Sequence, residues 1–174
     1  MLRPLLIASA ASLALAACAT DGAMAPSASA AGDMTPNQRS AYVEMAAASD
    51  LYEIQSSELA TTKARNADVR AFAQMLIEHH TATTQQLTAA ATAAGTPPSP
   101  ALMPMQAEMI AQLQAADGAA FDRLFVRQQV QAHQMALALH SNYASNGDTA
   151  TLRTVAAAAV PIIRQHLERA RALR

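Results

Sequence analysis

Residues 67–100 read ADVRAFAQMLIEHHTATTQQLTAAATAAGTPPSP, and the folding of this stretch decides the architecture. Val69, Phe72, Leu76, His80, Thr83 and Leu87 recur every three or four residues, the spacing that gathers side chains on one face of an α-helix. Ala67-Asp68 opens the segment, which is expected to run over 67–94. Gly95-Thr96-Pro97-Pro98-Ser99-Pro100 then ends it, because these residues favour turns and the prolines lack an amide donor. At 1.5 Å per residue such a rod is ~40 Å long.

The same pattern continues on both sides. Upstream, residues 37–64 follow Thr35-Pro36, carry Tyr42, Met45, Ser49, Tyr52 and Leu59, and break at Asn66. Downstream, a short helix is expected over 102–115, with Met105, Met109, Ile110 and Leu113 on it and Asp117-Gly118 after it. Pro104 is tolerated there because it falls in the first turn. A third long helix over 118–145 carries Phe121, Leu124, Phe125, Val130, Leu137 and Tyr143. Asn146-Gly147-Asp148 forms a turn with an N-cap, and the last helix spans 149–173. Pro161 inside it is expected to kink it or open a short gap. Four long segments with two tight connections and one longer linker predict an all-α fold. The expected form is an antiparallel four-helix bundle with an additional short helix between the second and third long helices.

Composition agrees with tight helix packing. About a quarter of the 174 residues are alanine, whose small side chain lets helices approach closely and leaves little room for aromatics, here 3%. Charged residues are 14%, against ~25% in an ordinary soluble domain. Twelve Lys+Arg against thirteen Asp+Glu give a net charge of −1, so no basic surface for nucleic acid is expected. One cysteine excludes a disulfide scaffold, and the scarcity of strand-forming residues excludes most all-β folds. The nine methionines read as gap fillers in the core. A methionine-rich copper site would need them clustered, and only Met103, Met105 and Met109 are near each other in sequence.

The N-terminus reads as a targeting segment. Arg3 precedes an apolar run from Leu5 to Leu15, of signal-peptide length and shorter than the ~20 residues of a membrane span. Leu15-Ala16-Ala17-Cys18 resembles the bacterial lipobox at every position. Residues 1–17 are therefore expected to be a lipoprotein signal peptide and Cys18 the lipidated first residue. Residues 18–37 would be a flexible tether, and 38–173 the folded domain. Ala19 after the cysteine, rather than aspartate, points to the outer membrane, facing the periplasm. The partner expected from this reading is the membrane through Cys18; no feature identifies a protein partner.

Polar residues on core-facing stripes are the candidate site. His80 lies four after Leu76, His133 four before Leu137, and His166 four after Ile162. Glu53 falls one after Tyr52, and His79 is rotated about 100° from His80, toward solvent or a groove. His140, seven after His133, reads as a satisfied core or groove histidine. Counted from the turns, Glu53, His80 and His133 share one level, while His166 is offset by about five residues, ~7 Å. One carboxylate and three imidazoles on four helices thus converge, a set suited to one Zn²⁺, Cu²⁺, Fe²⁺ or Ni²⁺ ion. A buried hydrogen-bonded network without a metal satisfies the same pattern. A di-iron centre needs two Glu-x-x-His pairs, and no glutamate here has a histidine three residues on. Gly-x-Ser-x-Gly, phosphate-binding glycine loops and His-Glu-x-x-His are also absent from the sequence. Asp122, near the start of the third long helix, is expected to support its dipole or pair with an arginine.

The chain also resembles the bacterial envelope family called domain of unknown function 4142, over roughly residues 38–173. The resemblance is carried by Asp50-Leu51-Tyr52-Glu53-Ile54-Gln55-Ser56-Ser57, by Glu78-His79-His80-Thr81 and by Gly118-Ala119-Ala120-Phe121-Asp122-Arg123. It continues through His133-Gln134, Val160-Pro161 and His166-Leu167. Where the family usually has Asp-His before threonine, this chain has His79-His80, and Val160-Pro161 replaces Leu-Pro. The resemblance implies a ferritin-like bundle in the envelope and implies no particular reaction. The first functional reading is accordingly a lipid-anchored binding or structural protein; the second is a mononuclear metal-binding protein. An oxidoreductase with an open coordination position is a third.

Overall fold

The computed structural model describes residues 35–173. The expected signal peptide, Cys18 and the expected tether up to residue 34 lie outside the described residues. Five helices follow in order: α1 (Arg39–Lys63), α2 (Ala67–Ala93), α3 (Pro104–Ala115), α4 (Gly118–Asn146) and α5 (Ala150–Ala172). No strand occurs among the described residues, and no helix among them is long and apolar enough to cross a membrane.

Local chemistry explains the boundaries. Asn66 caps α2 by accepting a hydrogen bond from the Asp68 amide at 2.8 Å. Gly95 follows α2 with φ +73°, a left-handed conformation that any Cβ would strain. Pro104 is the first residue of α3, where its missing donor costs nothing. Gly147 follows α4 in an extended conformation, and a Cβ there would meet the Tyr143 ring at 2.5 Å, so the position requires glycine. Asp122 does something other than pair with an arginine side chain or serve its own helix. Its two oxygens accept the Arg65 and Asn66 amides at 3.0 Å, fixing the α1–α2 connection from α4. Pro161 opens no gap in α5. Pro161 and Ala157, whose carbonyl loses its partner, are both exposed, so water can replace the lost bond. Asn37, expected as the end of a flexible tether, is hydrogen-bonded to the helical domain: its carbonyl accepts the Asp148 amide at 3.0 Å, and Asn142 donates to its Oδ1 at 2.8 Å.

In the packing, α1 lies against α2 and α4, and α5 lies against α4 and α2. The short α3 lies across α1 and α4. Two larger apolar clusters form, with smaller ones around Tyr52 and Ile110 and around Ala136 and Ile163. One gathers Val69, Phe72, Leu76, Leu113, Phe121, Phe125 and Val130; the other gathers Tyr42, Val43, Leu87, Leu139, Tyr143 and Leu152. Each fully buried large side chain contributes ~1.5–3 kcal/mol. Along α1, α2 and α4 a set of polar residues is buried between the two larger clusters: Asp50, Glu53, Ser56, Ser57, His80, Gln129 and His133. His166 of α5 is buried with them. The core is thus apolar toward both ends and carries its buried polar groups in the middle.

Candidate metal centre

The polar layer is built one helical turn at a time. On α1, Asp50 and Glu53 stand three residues apart and therefore face the same way. Asp50 Oδ1 accepts from His80 Nδ1 at 2.8 Å, and the Thr83 and Thr84 hydroxyls donate to the same carboxylate at 3.1 Å. This contact fixes the His80 proton on Nδ1 and leaves Nε2 as the free ring nitrogen. Nε2 is buried and has no hydrogen-bond partner. Burial opposes a charge on His80, but the Asp50 hydrogen bond and the charges of Glu53 and Asp50 outweigh it and hold the imidazole above its usual pKa.

His133 and His166 form a directed chain. His133 Nδ1 lies 2.8 Å from the Gln129 carbonyl, which can only accept, so the proton sits on Nδ1. His133 Nε2 then accepts from His166 Nδ1 at 3.2 Å, and His166 Nε2 accepts from His79 Nδ1 at 2.8 Å. Burial pushes both inner rings down, His166 to about 3, with the neighbouring histidines adding to the effect on His166.

His80, His133 and His166 each offer one ligand atom, and the three atoms lie within 4.8 Å of one another. Their ring centroids are 5.2–5.8 Å apart. Glu53 sits at the edge of this trio: Oε1 is 3.5 Å from His133 Nδ1, and both carboxylate oxygens are buried without a hydrogen-bond partner. The five-residue offset expected for His166 is smaller in the fold. Counted from the helix ends at Asn146 and Ala150, His133 and His166 differ by three residues, ~4.5 Å, which the two side chains span.

Three further residues belong to the site although the sequence did not single them out as functional. Asp50 could have been found from its three-residue spacing to Glu53. His79 was expected at solvent or a groove, and it is partly buried, stacked on His166 with centroids 5.1 Å apart. Gln129 orients His133 through its carbonyl, and a backbone acceptor leaves no side-chain signal. His140 bonds Tyr42 Oη through Nδ1 at 3.1 Å and lines the same cleft as His80 and His166.

A cleft between α2 and α5 reaches the site. Thr83 and Gln86 line one side, Val155 and Ile162 the other, and His80 and His166 lie at its inner end. Its free interior of about 30 Å³ holds one or two water molecules.

Residues 23–173 match the family described as Domain of unknown function (DUF4142). The chain belongs to this family. No curated protein is significantly similar to it in sequence. Its fold is similar to solved structures of CopM. One is CopM in the Cu(II)-bound form, at 20% identity and TM-score 0.66, covering 78% of this chain and 94% of that chain. Another is CopM in the Ag-bound form obtained by co-crystallization, at 21% identity and TM-score 0.64, covering 78% and 93%. CopM in the apo form is similar to the same degree, at 20% identity and TM-score 0.64. At these identities the likeness is one of fold.

Proposed function

We propose that this protein binds one transition-metal ion, copper foremost, through His80, His133 and His166. The observation that carries the reading is the buried, unpartnered Nε2 of His80 beside two imidazoles whose ring nitrogens are 3.2 Å apart. Metal–nitrogen bonds of ~2.0–2.1 Å in a tetrahedral site place two ligand nitrogens ~3.3 Å apart, so this pair is already spaced for an ion. Asp50 and Glu53 supply negative charge where a cation would add positive charge; Glu53 stands on the Nδ1 side of His133, outside the three-imidazole group, and contributes charge rather than a bond. Asp50 on His80 is the kind of outer partner that fixes a ligand's tautomer. His166 would move its Nδ1 proton to Nε2, with His79 turning from donor to acceptor. Imidazoles accept Zn²⁺, Cu²⁺, Fe²⁺ and Ni²⁺ alike; the copper-bound forms of CopM put copper first.

A network without metal is the second reading, favoured by the unbroken chain from His79 through His166 and His133 to Gln129. It leaves the buried His80 Nε2 unsatisfied, which an ion would remedy. Full-length protein purified without an affinity tag is expected to bind one Cu²⁺ per chain, with nitrogen coupling in its electron paramagnetic resonance spectrum. Substoichiometric copper without nitrogen coupling would favour the network.

The same proposal places the domain on the bacterial envelope, lipid-anchored at Cys18 and held at the outer membrane facing the periplasm. It takes the helix packing to be a ferritin-like antiparallel four-helix bundle, with α3 as the added short helix. The anchor rests on Leu15-Ala16-Ala17-Cys18. Labelled palmitate is expected in the wild type and absent from Cys18→Ser; label that persists in the variant overturns the anchor.

A further inference from the structure

Five of the nine methionines line a single pocket: Met45 of α1, Met103 just before α3, Met105 and Met109 of α3, and Met135 of α4. Sequence proximity brings only the middle three together. The other two join them because α3 lies across the groove between α1 and α4. We propose that this pocket is a second metal site, selective for a soft monovalent cation, Cu(I) or Ag(I), and separate from the imidazole centre.

The donor chemistry supports this choice. No carboxylate, amine or imidazole lines the pocket, so a hard or borderline dication finds neither charge nor a preferred ligand there. The longer polar side chains on its wall are engaged elsewhere: Tyr52 Oη donates to Gln128, and Gln106 Oε1 accepts the Met103 amide. Thioethers are the soft donors that remain, and soft donors select Cu(I) over harder ions. Simple gap filling accounts less well for the exposure. A gap filler is covered by its neighbours, whereas Met105 is 39% exposed, the one exposed large hydrophobic among the described residues. Met45, Met103 and Met135 are only partly buried, so the pocket is open to an incoming ion.

Its position relates it to the imidazole site. Ser49 of α1 and Ala136 of α4 line both this pocket and the cleft that reaches His80 and His166. Two small side chains therefore form the shared wall between a thioether site and an imidazole site of different softness. The inference stands on the pocket's own geometry and does not require the imidazole reading.

Silver nitrate in chloride-free buffer is the probe, being monovalent and inert to redox change. Bound Ag(I) on the full-length untagged protein is expected to show sulfur neighbours by X-ray absorption. The double variant Met105→Leu/Met135→Leu is expected to lose that sulfur shell and weaken Ag(I) binding at least about tenfold. Leucine nearly conserves methionine's volume, so the fold should hold, and circular dichroism with thermal melting checks that it does. Nitrogen neighbours only, or an affinity in the folded double variant within about twofold of wild type, overturns the proposal. His133→Ala is expected to keep its sulfur-bound silver; loss there would place silver in the imidazole centre and also overturn it. If His133→Ala leaves Cu²⁺ binding intact while the methionine variant loses silver, the imidazole reading fails and this one stands.

Discussion

Replacing His133 with alanine is expected to weaken Cu²⁺ binding by more than about 100-fold. Removing a residue that merely holds a metal ligand already costs about 10–100-fold, and His133 is proposed as a ligand itself. The variant also acts on the metal-free protein, because His133 is 1% exposed. Truncation leaves a cavity and strips His166 Nδ1 of its acceptor, together costing about 2–4 kcal/mol. The two effects must be separated, and Asp50→Asn separates them. Its shape is preserved, yet the carboxylate that fixes His80 is lost, so Cu²⁺ affinity is expected to fall about 10–100-fold. Competition against a copper chelator gives the affinities, and thermal melting of the metal-free proteins gives the stability change. Unaltered copper affinity in a folded His133→Ala protein would sink the metal assignment.

Why so much of the helical layout was legible, and less of the site, follows from where the signals lie. Helix positions come from period and punctuation. Phe72, Leu76, His80 and Leu87 mark one face over many residues, and Gly95 and Pro104 mark the ends, all in local sequence. The inward histidines were legible for the same reason, since His80 and His133 replace apolar residues on a periodic stripe. Contacts between helices are a different matter. Whether Asp122 serves its own helix or the α1–α2 connection depends on how α4 is turned, and no periodicity encodes that. His79 shows the same limit: it leaves the α2 stripe but meets His166 because α5 packs beside α2. Met45 and Met135 join the other methionines only through the placement of α3. Pro161 illustrates the converse, since its local rule predicts disruption and its exposure on α5 lets solvent absorb the cost.

Acid is expected to destabilise the metal-free domain between pH 6.5 and pH 4, and His140 is the residue that allows the test. Burial pushes its pKa down to about 4 from the usual 6.5; the Asp50 charge opposes this and His80 adds to it. Between those two values the unfolded chain takes up a proton that the native ring refuses. Stability is therefore highest above pH 6.5 and is lost as pH falls toward 4. Full expression of that shift corresponds to ~3 kcal/mol, and the partial exposure of the ring reduces it to about 1–2 kcal/mol. His133 and His166 are displaced in the same direction and add to the loss. His80, held above its usual value, acts in the opposite sense and offsets part of it. His140→Gln keeps a hydrogen-bond partner for Tyr42 Oη but cannot titrate in this range. The melting temperature of the variant should accordingly drop less than that of wild type between pH 7 and pH 4.5. The expected difference is about 3–6 °C. Identical drops in the two proteins would assign the acid sensitivity to the inner histidines alone.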